Sequence, residues 1–382
     1  MTARREIFFV ANEVNELGGV ARWQAQMAGL FAERGHKVTV VGISPADVPM
    51  DLGDHPPFDS VTLYDVRPPA RPGPASLSDR LSLRARRRES ARKKGVEQSA
   101  ERLSELFRAA APGAMIIVTQ VWAMEWVALA DTTGHKVIGM SHESYAYSWQ
   151  SSRAQRIERY FKDVDRLVLL TQEDADLWAV RGMDNVGFMP NPLPTMSAVP
   201  SPRTAKVVAS VGRLSHQKGI DMLLDAWAEA APRVPGWLLR IHGAGELDSA
   251  LKRQCTELGL DGSVEWAGQT ADVPGALRGA SVFVQSSRGE GFPLALLEAM
   301  ACGLPCVAFD CAPGVHEIIE DGVDGLLARP GNTSELARQL VLLMDDTERR
   351  DEMAELARTN VRRFTPDSIT RRWEELFDLL ER

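Results

Sequence analysis

The sequence lacks any apolar run near the ~20 residues that a membrane-crossing helix needs. The apolar stretch within Met1–Val10 is also too short for the hydrophobic region of a secretion signal. Cysteine is scarce, since the 382 residues include four, namely Cys255, Cys302, Cys306 and Cys311. The last three are close in sequence, but their spacing is not that of a zinc site and no C-x-x-C pair occurs. We therefore expect a cytoplasmic protein with buried structural thiols and no metal.

Charge is unevenly distributed along the chain. The net charge is −8, yet residues 66–95 contain ten basic residues and two acidic ones. Such a segment favours an anionic partner, or peripheral contact with the inner face of a membrane, over a nucleic-acid-binding fold. A solvated loop that leads into a charged helix is the other interpretation, and for such a charge run alone it is slightly favoured. Hydrophobic residues at 44% and charged residues at 25% are ordinary for a soluble globular protein, which excludes a disordered chain and a fibre.

Short apolar, β-rich runs alternate with helical periodicity along the chain, a pattern typical of parallel α/β sheets. In the first half, strands are predicted at residues 7–11, 37–42, 115–119, 136–141, 167–171 and 185–189. In the second half, they are predicted at residues 206–211, 237–242, 263–267, 281–285 and 305–308, the last completing the sheet. Because one hydrophobic core seldom supports this length, two domains are expected.

Proline marks the boundary between the halves. Five prolines lie within residues 190–202, where they break any regular element. The predicted parts are an N-terminal domain at 1–192, a linker at 193–203, a C-terminal domain at 204–364 and a terminal helix at 365–382. Two such domains place a cleft between the carboxyl ends of their strands, where parallel sheets bind ligands.

The most informative motif follows the predicted strand at 281–285. Glu290 lies in a glycine-containing loop, and Pro293 suits the first turn of a helix that contains Glu298. Backbone N–H groups at 291–294 would suit an oxyanion or a polyhydroxyl ligand, and both glutamates can accept hydrogen bonds from sugar hydroxyls. The alternative is an ordinary helix start with an acidic first turn. The seven residues between the glutamates and their apolar neighbours favour the binding site.

In each half of the sequence, the loop that follows the first strand also contains candidate binding residues. In the second half, Arg213 and Lys218 lie in a glycine-bounded loop and can neutralise a diphosphate, although two solvated cations are the alternative. In the first half, Gly18 and Gly19 let a ligand approach the backbone. Neither this pair nor the loop at Gly243 completes the G-x-G-x-x-G dinucleotide fingerprint.

His142 ends a predicted strand and has aromatic residues around it in the sequence. The neighbouring tyrosines and tryptophans suit carbohydrate contacts, and they are Tyr145, Tyr147, Trp149, Trp122 and Trp126. A structural role for a lone histidine is the alternative. The triplets Asp163-Val-Asp165 and Asp174-Ala-Asp176 lack the loop context of a metal-bound nucleotide site. No P-loop, H-E-x-x-H or G-x-S-x-G motif occurs, which argues against a kinase, a zinc protease or a serine hydrolase.

Taken together, these motifs resemble those of the family 4 retaining glycosyltransferases, which have the GT-B fold. The likeness rests on Gly18-Gly19, on Arg213 with Lys218-Gly219, and on the run from Glu290-Gly-Phe-Pro to Glu298-Ala-Met-Ala-Cys-Gly-Leu-Pro. It covers nearly the whole chain and is strongest in the second half. It implies two Rossmann-like domains, the first binding the acceptor and the second the nucleotide-sugar donor, with the terminal helix crossing back to the first.

The resemblance also implies roles for individual residues. Catalytic roles would fall on Glu290, His142, Arg213 and Lys218. The donor would be bound by Gly18, Gly19, Arg213, Lys218, Gly243, Gln269, Glu290, Gly291, Phe292, Pro293, Leu294 and Glu298. Acceptor contacts are expected from Tyr145, Trp122, Arg86 and Arg87. The resemblance implies no metal or cofactor. It also implies that the departing phosphate deprotonates the acceptor on the same face, so that no side chain needs to act as a covalent nucleophile.

The expected activity is therefore transfer of a hexose-type sugar, with a UDP-sugar the favoured donor. The acceptor would be a glycan, an anionic polymer such as a polyol-phosphate, a lipid-linked molecule or a natural product. Two alternatives stay open, a GT-B scaffold subunit without catalysis and, far behind, a nicotinamide-dependent oxidoreductase. The sequence does not fix the donor sugar, the linkage or the oligomeric state.

Overall fold

The computed structural model describes residues 4–15, 18–53, 55–65, 83–194, 196–197 and 199–382, with the backbone alone for 83–86 and 88. These residues divide into two compact units. The first unit falls within Met1–His142, Ser148–Met189 and Thr370–Arg382, and the second contains Glu143–Tyr147 and Pro190–Ile369. Within the described ranges, no helix is both long enough and apolar enough to cross a membrane. Residues 66–82 of the basic segment lie outside the described residues.

One parallel sheet forms the centre of the first unit. Its strands are β1 (Glu6–Glu13), β2 (Lys37–Ser44), β3 (Asp59–Thr62), β4 (Met115–Val118), β5 (Lys136–Met140), β6 (Arg166–Leu169) and β7 (Val186–Phe188). They pair in the order β3-β2-β1-β4-β5-β6-β7. The helices between them are α1 (Gly19–Glu33), α2 (Leu83–Arg108), α3 (Met124–Val127), α4 (Tyr145–Ser148), α5 (Arg153–Tyr160) and α6 (Gln172–Val180).

The core of this unit explains why its central strands are almost wholly apolar. A parallel sheet is covered by helices on both faces, so both sides of each strand must be hydrophobic. On β1, five consecutive residues from Ile7 to Ala11 are buried. Phe9 packs edge-on against Trp23 of α1 and stacks on Phe31 of the same helix, at centroid distances of 5.9 and 6.1 Å.

The last helix, α14 (Pro366–Leu380), contributes most of its length to the first unit. Its fully buried Trp373 and Phe377 pack on Phe31. Charged contacts reinforce this packing. The Arg5 guanidinium donates to Glu381 at 2.6 Å, and Glu374 accepts from Arg34 at 2.9 Å and contacts His36 at 3.3 Å. The helix therefore completes the core of the unit that begins the chain, as the resemblance implied.

The second unit repeats the same architecture with six strands. They are β8 (Val207–Val211), β9 (Leu238–His242), β10 (Val264–Gly268), β11 (Val282–Gln285), β12 (Cys306–Phe309) and β13 (Gly325–Ala328). All pair in parallel in the order β10-β9-β8-β11-β12-β13. The helices are α7 (Ile220–Ala230), α8 (Asp248–Glu257), α9 (Val273–Arg278), α10 (Leu294–Ala301), α11 (Pro313–His316), α12 (Thr333–Asp345) and α13 (Thr347–Asn360).

The proline-rich segment is part of the second unit, which begins at Pro190. Asn191 is buried and its side-chain amide donates to the carbonyl oxygen of Phe292 at 3.0 Å. The amide of Leu193 donates to the carbonyl oxygen of Phe364 at 2.7 Å. The segment is thus irregular, as its prolines require, and also firmly docked.

Two strands were not predicted from the sequence. β3 has two exposed and two half-buried residues. β13 pairs with β12, so the prediction that residues 305–308 complete the second sheet is wrong. The two D-x-D triplets have structural partners. Asp174 and Thr171 cap the start of α6, and Asp165 accepts a hydrogen bond from the amide of Val137 at 2.8 Å.

Candidate active site

The carboxyl edge of the second sheet brings three loops together. The loop after β8 bonds to the loop after β9, because Gly212 N–H donates to His242 and Leu214 N–H to Ala244, each at 3.0 Å. The loop after β11 joins them, since Arg288 N–H donates to the carbonyl oxygen of Gln217 at 2.7 Å. These are the loops that carry the motifs singled out in the sequence.

Glycine makes this close approach possible at two positions. A Cβ atom added to Gly243 would lie 1.9 Å from the carbonyl oxygen of Gly212. One added to Gly219, whose φ is +61°, would lie 2.1 Å from the carbonyl oxygen of Ser286. Both distances are far below van der Waals contact, so any side chain at either position would push the loops apart.

Lys218 and Glu290 meet where the loops after β8 and β11 converge. Lys218 Nζ donates to Glu290 Oε1 at 2.6 Å, and the Ser287 hydroxyl donates to the same oxygen at 2.6 Å. The Glu290 side chain is 8% exposed and that of Lys218 is 28% exposed. Within the described residues, no hydrogen bond reaches Glu290 Oε2. That oxygen is the one available to a ligand hydroxyl.

A second ion pair braces the same loops from the side. Both terminal guanidinium nitrogens of Arg288 donate to the carboxylate of Asp221, at 2.8 and 2.6 Å, and one also donates to the carbonyl oxygen of His216. The hydrogen bond from Arg288 lowers the pKa of Asp221. Gln217 adds a further bond to the carbonyl oxygen of Gly289 at 2.9 Å. A bidentate pair of this type fixes orientation as well as distance.

Helix α10 begins directly after this ion-paired loop. Pro293 occupies its N-cap position rather than the first turn, and no acidic residue lies in that turn. The alternative of an ordinary acidic helix start is therefore wrong. Gly291, Phe292 and Pro293 are buried, whereas Leu294 and Glu298 are half-buried. The first-turn N–H groups of α10 consequently lie next to Glu290.

Three other predicted donor-site positions lie around the same edge. Gly243 N–H donates to the carbonyl oxygen of Gly268 at 2.8 Å, which places Gln269 beside the loop after β9. Gln269 is exposed, and so is Arg213. Arg213 and Lys218 therefore lie in one loop but have different environments. Arg213 is exposed to solvent, whereas Lys218 is held by Glu290.

In the first unit, Gly18 and Gly19 lie at the start of α1, and a Cβ atom at either would meet nothing within 4 Å. His142 follows β5, and its ring packs edge-on against Trp23 with the centroids 4.8 Å apart. Burial of the ring, with a smaller effect of Arg153, lowers the pKa of His142 to about 3. The imidazole is therefore neutral at physiological pH, and it can act as a hydrogen-bonding group rather than as a cation.

The aromatic residues near His142 do not form one cluster. Trp126 is buried and donates to the Tyr64 hydroxyl at 3.3 Å, while Trp149 stacks on Trp178 at 6.2 Å. Tyr145 is half-buried and falls, with Tyr147, in the second unit. Trp126 and Trp149 thus have separate structural partners.

Trp122 has the most distinctive environment of these residues. The guanidinium groups of Arg153 and Arg156 lie over its ring, at 4.9 and 5.4 Å from the centroid. Arg156 and Arg92 share the carboxylate of Glu125, at 3.6 and 3.1 Å. Cations held on an aromatic face in this way are attracted by the electrons of the ring. Arg86 and Arg87 lie on the first turns of α2, where Arg87 is exposed.

No group of three or more His, Cys, Asp or Glu side chains in the described residues could hold a metal ion. All four cysteines are free, and three are buried. The exception is Cys311, which is half-buried. Its burial, followed by the charge of Glu290, raises the pKa of its thiol to about 12.

The family match to known proteins lies in the second unit. Residues 195–360 match the family described as glycosyl transferases group 1. Over nearly its full length, the chain is 27% identical to an uncharacterized glycosyltransferase of Haemophilus influenzae, covering 96% of this chain and 98% of that protein.

Solved structures share the whole architecture. Staphylococcus aureus TarM, in a complex with fondaparinux, α-GlcNAc-glycerol and UDP, is similar with a TM-score of 0.79 at 14% identity, over 98% of this chain and 99% of that one. The family match and the Haemophilus influenzae relative support a glycosyltransferase, and the solved structure supports the GT-B fold. Anabaena HepE, in a complex with UDP-glucose, is similar with a TM-score of 0.75 at 20% identity, over 98% of this chain and 99% of that one. The GT-B fold predicted from the sequence is confirmed.

Sequence reasoning missed the side chains that hold the candidate site together. Ser287, which donates to Glu290, and the Arg288–Asp221 pair were not singled out. Opposite charges next to two predicted loops were the available signal for Arg288 and Asp221. The signal for Ser287 was its position three residues before Glu290 in a loop that turns back on itself.

Proposed function

We propose that this chain is a family 4 retaining glycosyltransferase that transfers a hexose-type sugar from a UDP-sugar to an acceptor hydroxyl group. The acceptor is a glycan, a polyol-phosphate or lipid-linked molecule, or a natural product, and the reaction requires no metal. The observation that carries the proposal is the contact between Lys218 and Glu290, because it joins a diphosphate-binding group to a hydroxyl-binding group at one sheet edge. The UDP and UDP-glucose held by the structurally similar TarM and HepE support a UDP-sugar as donor.

Electrostatics suggest how the pair would work. Cleavage of the donor leaves a diphosphate with additional negative charge, which Lys218 and Arg213 would stabilise. In the structure, Lys218 donates to Glu290. On donor binding, we expect its ammonium group to exchange the carboxylate for a phosphate oxygen. The released Glu290 carboxylate would then accept hydrogen bonds from the sugar.

The remaining predicted residues complete this scheme. The N–H groups at Gly291–Leu294 would contact the sugar or the diphosphate, and Glu298 would bind the ribose hydroxyls. Gly243 and Gln269 would line the nucleotide, while Gly18 and Gly19 would approach the diphosphate. His142, neutral because of its lowered pKa, would hydrogen-bond the sugar near the reaction centre. The leaving phosphate would take the acceptor proton, so no side chain needs to act as a covalent nucleophile.

We assign acceptor binding to the first unit. Trp122 contributes an aromatic ring, and Arg153 and Arg156 place positive charge over it. This combination favours an acceptor with both hydroxyl and phosphate groups, such as a polyol-phosphate polymer. The α-GlcNAc-glycerol in the TarM complex is a sugar joined to a polyol, which fits the same class. A cytoplasmic location, with the basic residues 66–95 at the inner membrane face, would be compatible with such an acceptor.

The first test is thermal unfolding of the purified chain with UDP, GDP, ADP, dTDP or NAD, without added metal. A ligand at a hundred times its Kd should stabilise the protein by about 2.7 kcal/mol. We expect the shift with UDP and its loss in Arg213→Ala. Incubation with UDP-sugars and a polyol-phosphate acceptor, followed by NMR of the new anomeric bond, then tests transfer and retention.

The outcomes separate the candidate functions. A shift with UDP but no transfer to any acceptor, and no hydrolysis of any UDP-sugar, would favour a scaffold that has kept its nucleotide site. A shift with NAD alone would overturn the glycosyltransferase proposal. An inverted anomeric product would refute the retaining mechanism while leaving the donor assignment intact.

A further inference from the structure

Two buried polar side chains at the carboxyl edge of the second sheet have no partner for their nitrogen atoms. They are His242, the last residue of β9, and Gln285, the last residue of β11. Both ring nitrogens of His242 and the amide nitrogen of Gln285 are enclosed and form no hydrogen bond within the described residues. The exposed fractions of the residues are 9% and 7%. Buried polar groups in folded proteins are nearly always hydrogen-bonded, so each exception needs an explanation.

The two residues belong to one place in the sheet. β9 and β11 are the two neighbours of β8, and His242 pairs in register with Val211. The β8–β11 register, in which Phe283 pairs with Ala209, brings Gln285 level with the same Val211. Residues in register on parallel strands project to the same face. His242 and Gln285 therefore flank Val211 on one face, about 10 Å apart across two strand spacings.

That face is not the main hydrophobic core of the unit. From each of these three strands, the core takes residues at positions of opposite parity to Val211, His242 and Gln285, so their side chains project to the opposite face. Those core residues are Val208, Leu239, Ile241, Val282 and Val284. Each of the two orphaned side chains also lies immediately before a loop of the candidate site, since Gly243 follows His242 and the loop that leads to Glu290 follows Gln285.

We infer that His242 and Gln285 are donor-binding residues, and that their nitrogens hydrogen-bond polar groups of the bound nucleoside diphosphate. This inference rests on the proposed function. Burial keeps the imidazole neutral by lowering its pKa, so one nitrogen donates and the other accepts. The Gln285 amide nitrogen donates. A buried nitrogen without a hydrogen-bond partner lowers the stability of the fold, and the bound ligand supplies that partner.

This inference predicts effects of opposite sign on stability and on binding. Replacing a buried, unsatisfied polar group by an apolar one of similar shape is neutral or stabilising in the free protein. His242→Phe and Gln285→Leu should therefore raise the urea midpoint of the ligand-free chain or leave it unchanged. The same substitutions should weaken UDP binding by about tenfold, the loss expected when one hydrogen bond at a buried site is removed.

His135→Phe is the matched control. Within the described residues, the Nδ1 atom of His135 is also enclosed and forms no hydrogen bond, but this residue lies in the first unit. We expect unchanged or higher stability and wild-type UDP affinity. Titrations with uridine and with pyrophosphate show which half of UDP each residue contacts. A substitution should lower the affinity for the half that the replaced side chain contacts and leave the affinity for the other half unchanged.

Wild-type protein gives an independent readout that does not depend on a variant folding. In protein labelled with ¹⁵N-histidine, UDP should shift the ring nitrogen resonances of His242, which are assigned from their absence in His242→Phe or, if that variant does not fold, in His242→Gln. If UDP binds wild type but neither variant loses affinity and the resonances stay unmoved, the inference is overturned. If UDP does not bind wild type at all, the proposed donor itself fails.

Discussion

Lys218 and Glu290 are 72 residues apart in the sequence, and their side chains are 2.6 Å apart in the structure. The pair connects loops that follow two neighbouring strands of the second sheet, β8 and β11. The positive charge proposed to hold the donor diphosphate is thus paired with a carboxylate of the same unit. Donor binding becomes an exchange of partners rather than the filling of an uncommitted cation site.

We predict that Glu290→Gln and Lys218→Ala have different kinetic effects. Glu290→Gln should lower turnover by about a hundredfold, the scale for one lost electrostatic contact to a transition state, with a smaller effect on UDP affinity. Lys218→Ala should lower both turnover and UDP affinity, because it removes a contact to the diphosphate. Steady-state kinetics with a UDP-sugar and calorimetric titration with UDP measure the two quantities.

Lys252→Ala is the control for this pair. Lys252 is an exposed lysine of the same unit, paired with Asp248 along α8, and its loss should leave turnover and affinity unchanged. Near-wild-type activity in both Glu290→Gln and Lys218→Ala would contradict the assignment of the site to this sheet edge.

A second prediction concerns the contact between the loops after β8 and β9. Gly243→Ala should weaken UDP binding by about tenfold or more, because the added methyl group would displace the Gly212 carbonyl and shift Arg213 and Lys218. Gly262→Ala adds the same methyl group where nothing lies within 4 Å, and it should behave like wild type. Equal UDP affinity in the two variants would show that the loop spacing is unimportant for the donor.

The lowered pKa of His142 gives a third prediction, for stability against pH. In the unfolded chain, the imidazole titrates near its ordinary pKa of ~6.5, whereas in the folded protein it stays neutral down to about 3. As pH falls below ~6.5, the unfolded state takes up a proton that the folded state does not. The free energy of unfolding should therefore decrease from pH 7.5 to pH 4.5.

His142→Gln should remove part of this pH dependence, which urea unfolding at several pH values will show. His55 is exposed, and His55→Gln should leave the slope as in wild type. The same neutral imidazole implies that the pH–rate profile has no ionisation of His142 between pH 5 and 8. An identical pH dependence of stability in His142→Gln and wild type would argue against the buried, neutral state.

A fourth prediction concerns the brace between Arg288 and Asp221. Asp221→Asn should cost about 0.5–1.5 kcal/mol at pH 7, a small value because both side chains are partly exposed. The pKa of Asp221 is lowered in the folded state, so its contribution is present above its ordinary pKa of ~3.9 and is lost as pH falls through the lowered value. The stability difference between wild type and variant should therefore shrink below about pH 4, as measured by urea unfolding.

The conservative partner of this experiment is Arg288→Lys, which keeps the charge and loses the bidentate geometry. We expect it to retain most of the stability and to lose part of the UDP affinity, since the loop that carries Glu290 would be less well oriented. If Asp221→Asn changed neither stability nor UDP binding, the pair would be no more than a surface contact.

The fold was readable from the sequence wherever burial on both faces left a strong apolar signal. β1, β2 and β11 are such strands, and the predictions located them to within a few residues. β3 was missed because it has the exposed, polar pattern of a strand with one open side. β13 was missed because Gly325–Ala328 contains no β-branched or aromatic residue and so gives a weak strand signal.

The candidate site was readable as separate motifs and not as an assembled site. The sequence indicated that Lys218 and Glu290 lie in loops. These loops touch because β8 and β11 are neighbours in the sheet, and the sequence did not give that strand order. The partners of Trp122 were equally hidden, because Arg153 and Arg156 come from a helix about thirty residues further along the chain. Periodicity describes an element's own environment, while contacts between distant elements depend on topology.

The docking of α14 also has a consequence for biosynthesis. Ribosomes deliver a chain from its N-terminus, and domains generally fold as they emerge. The second unit ends at Ile369, whereas the first still needs Trp373 and Phe377 to cover Phe31. During translation, the unit that starts the chain is therefore the last to close. Its uncovered aromatic face is the surface that a chaperone would shield on the nascent polypeptide.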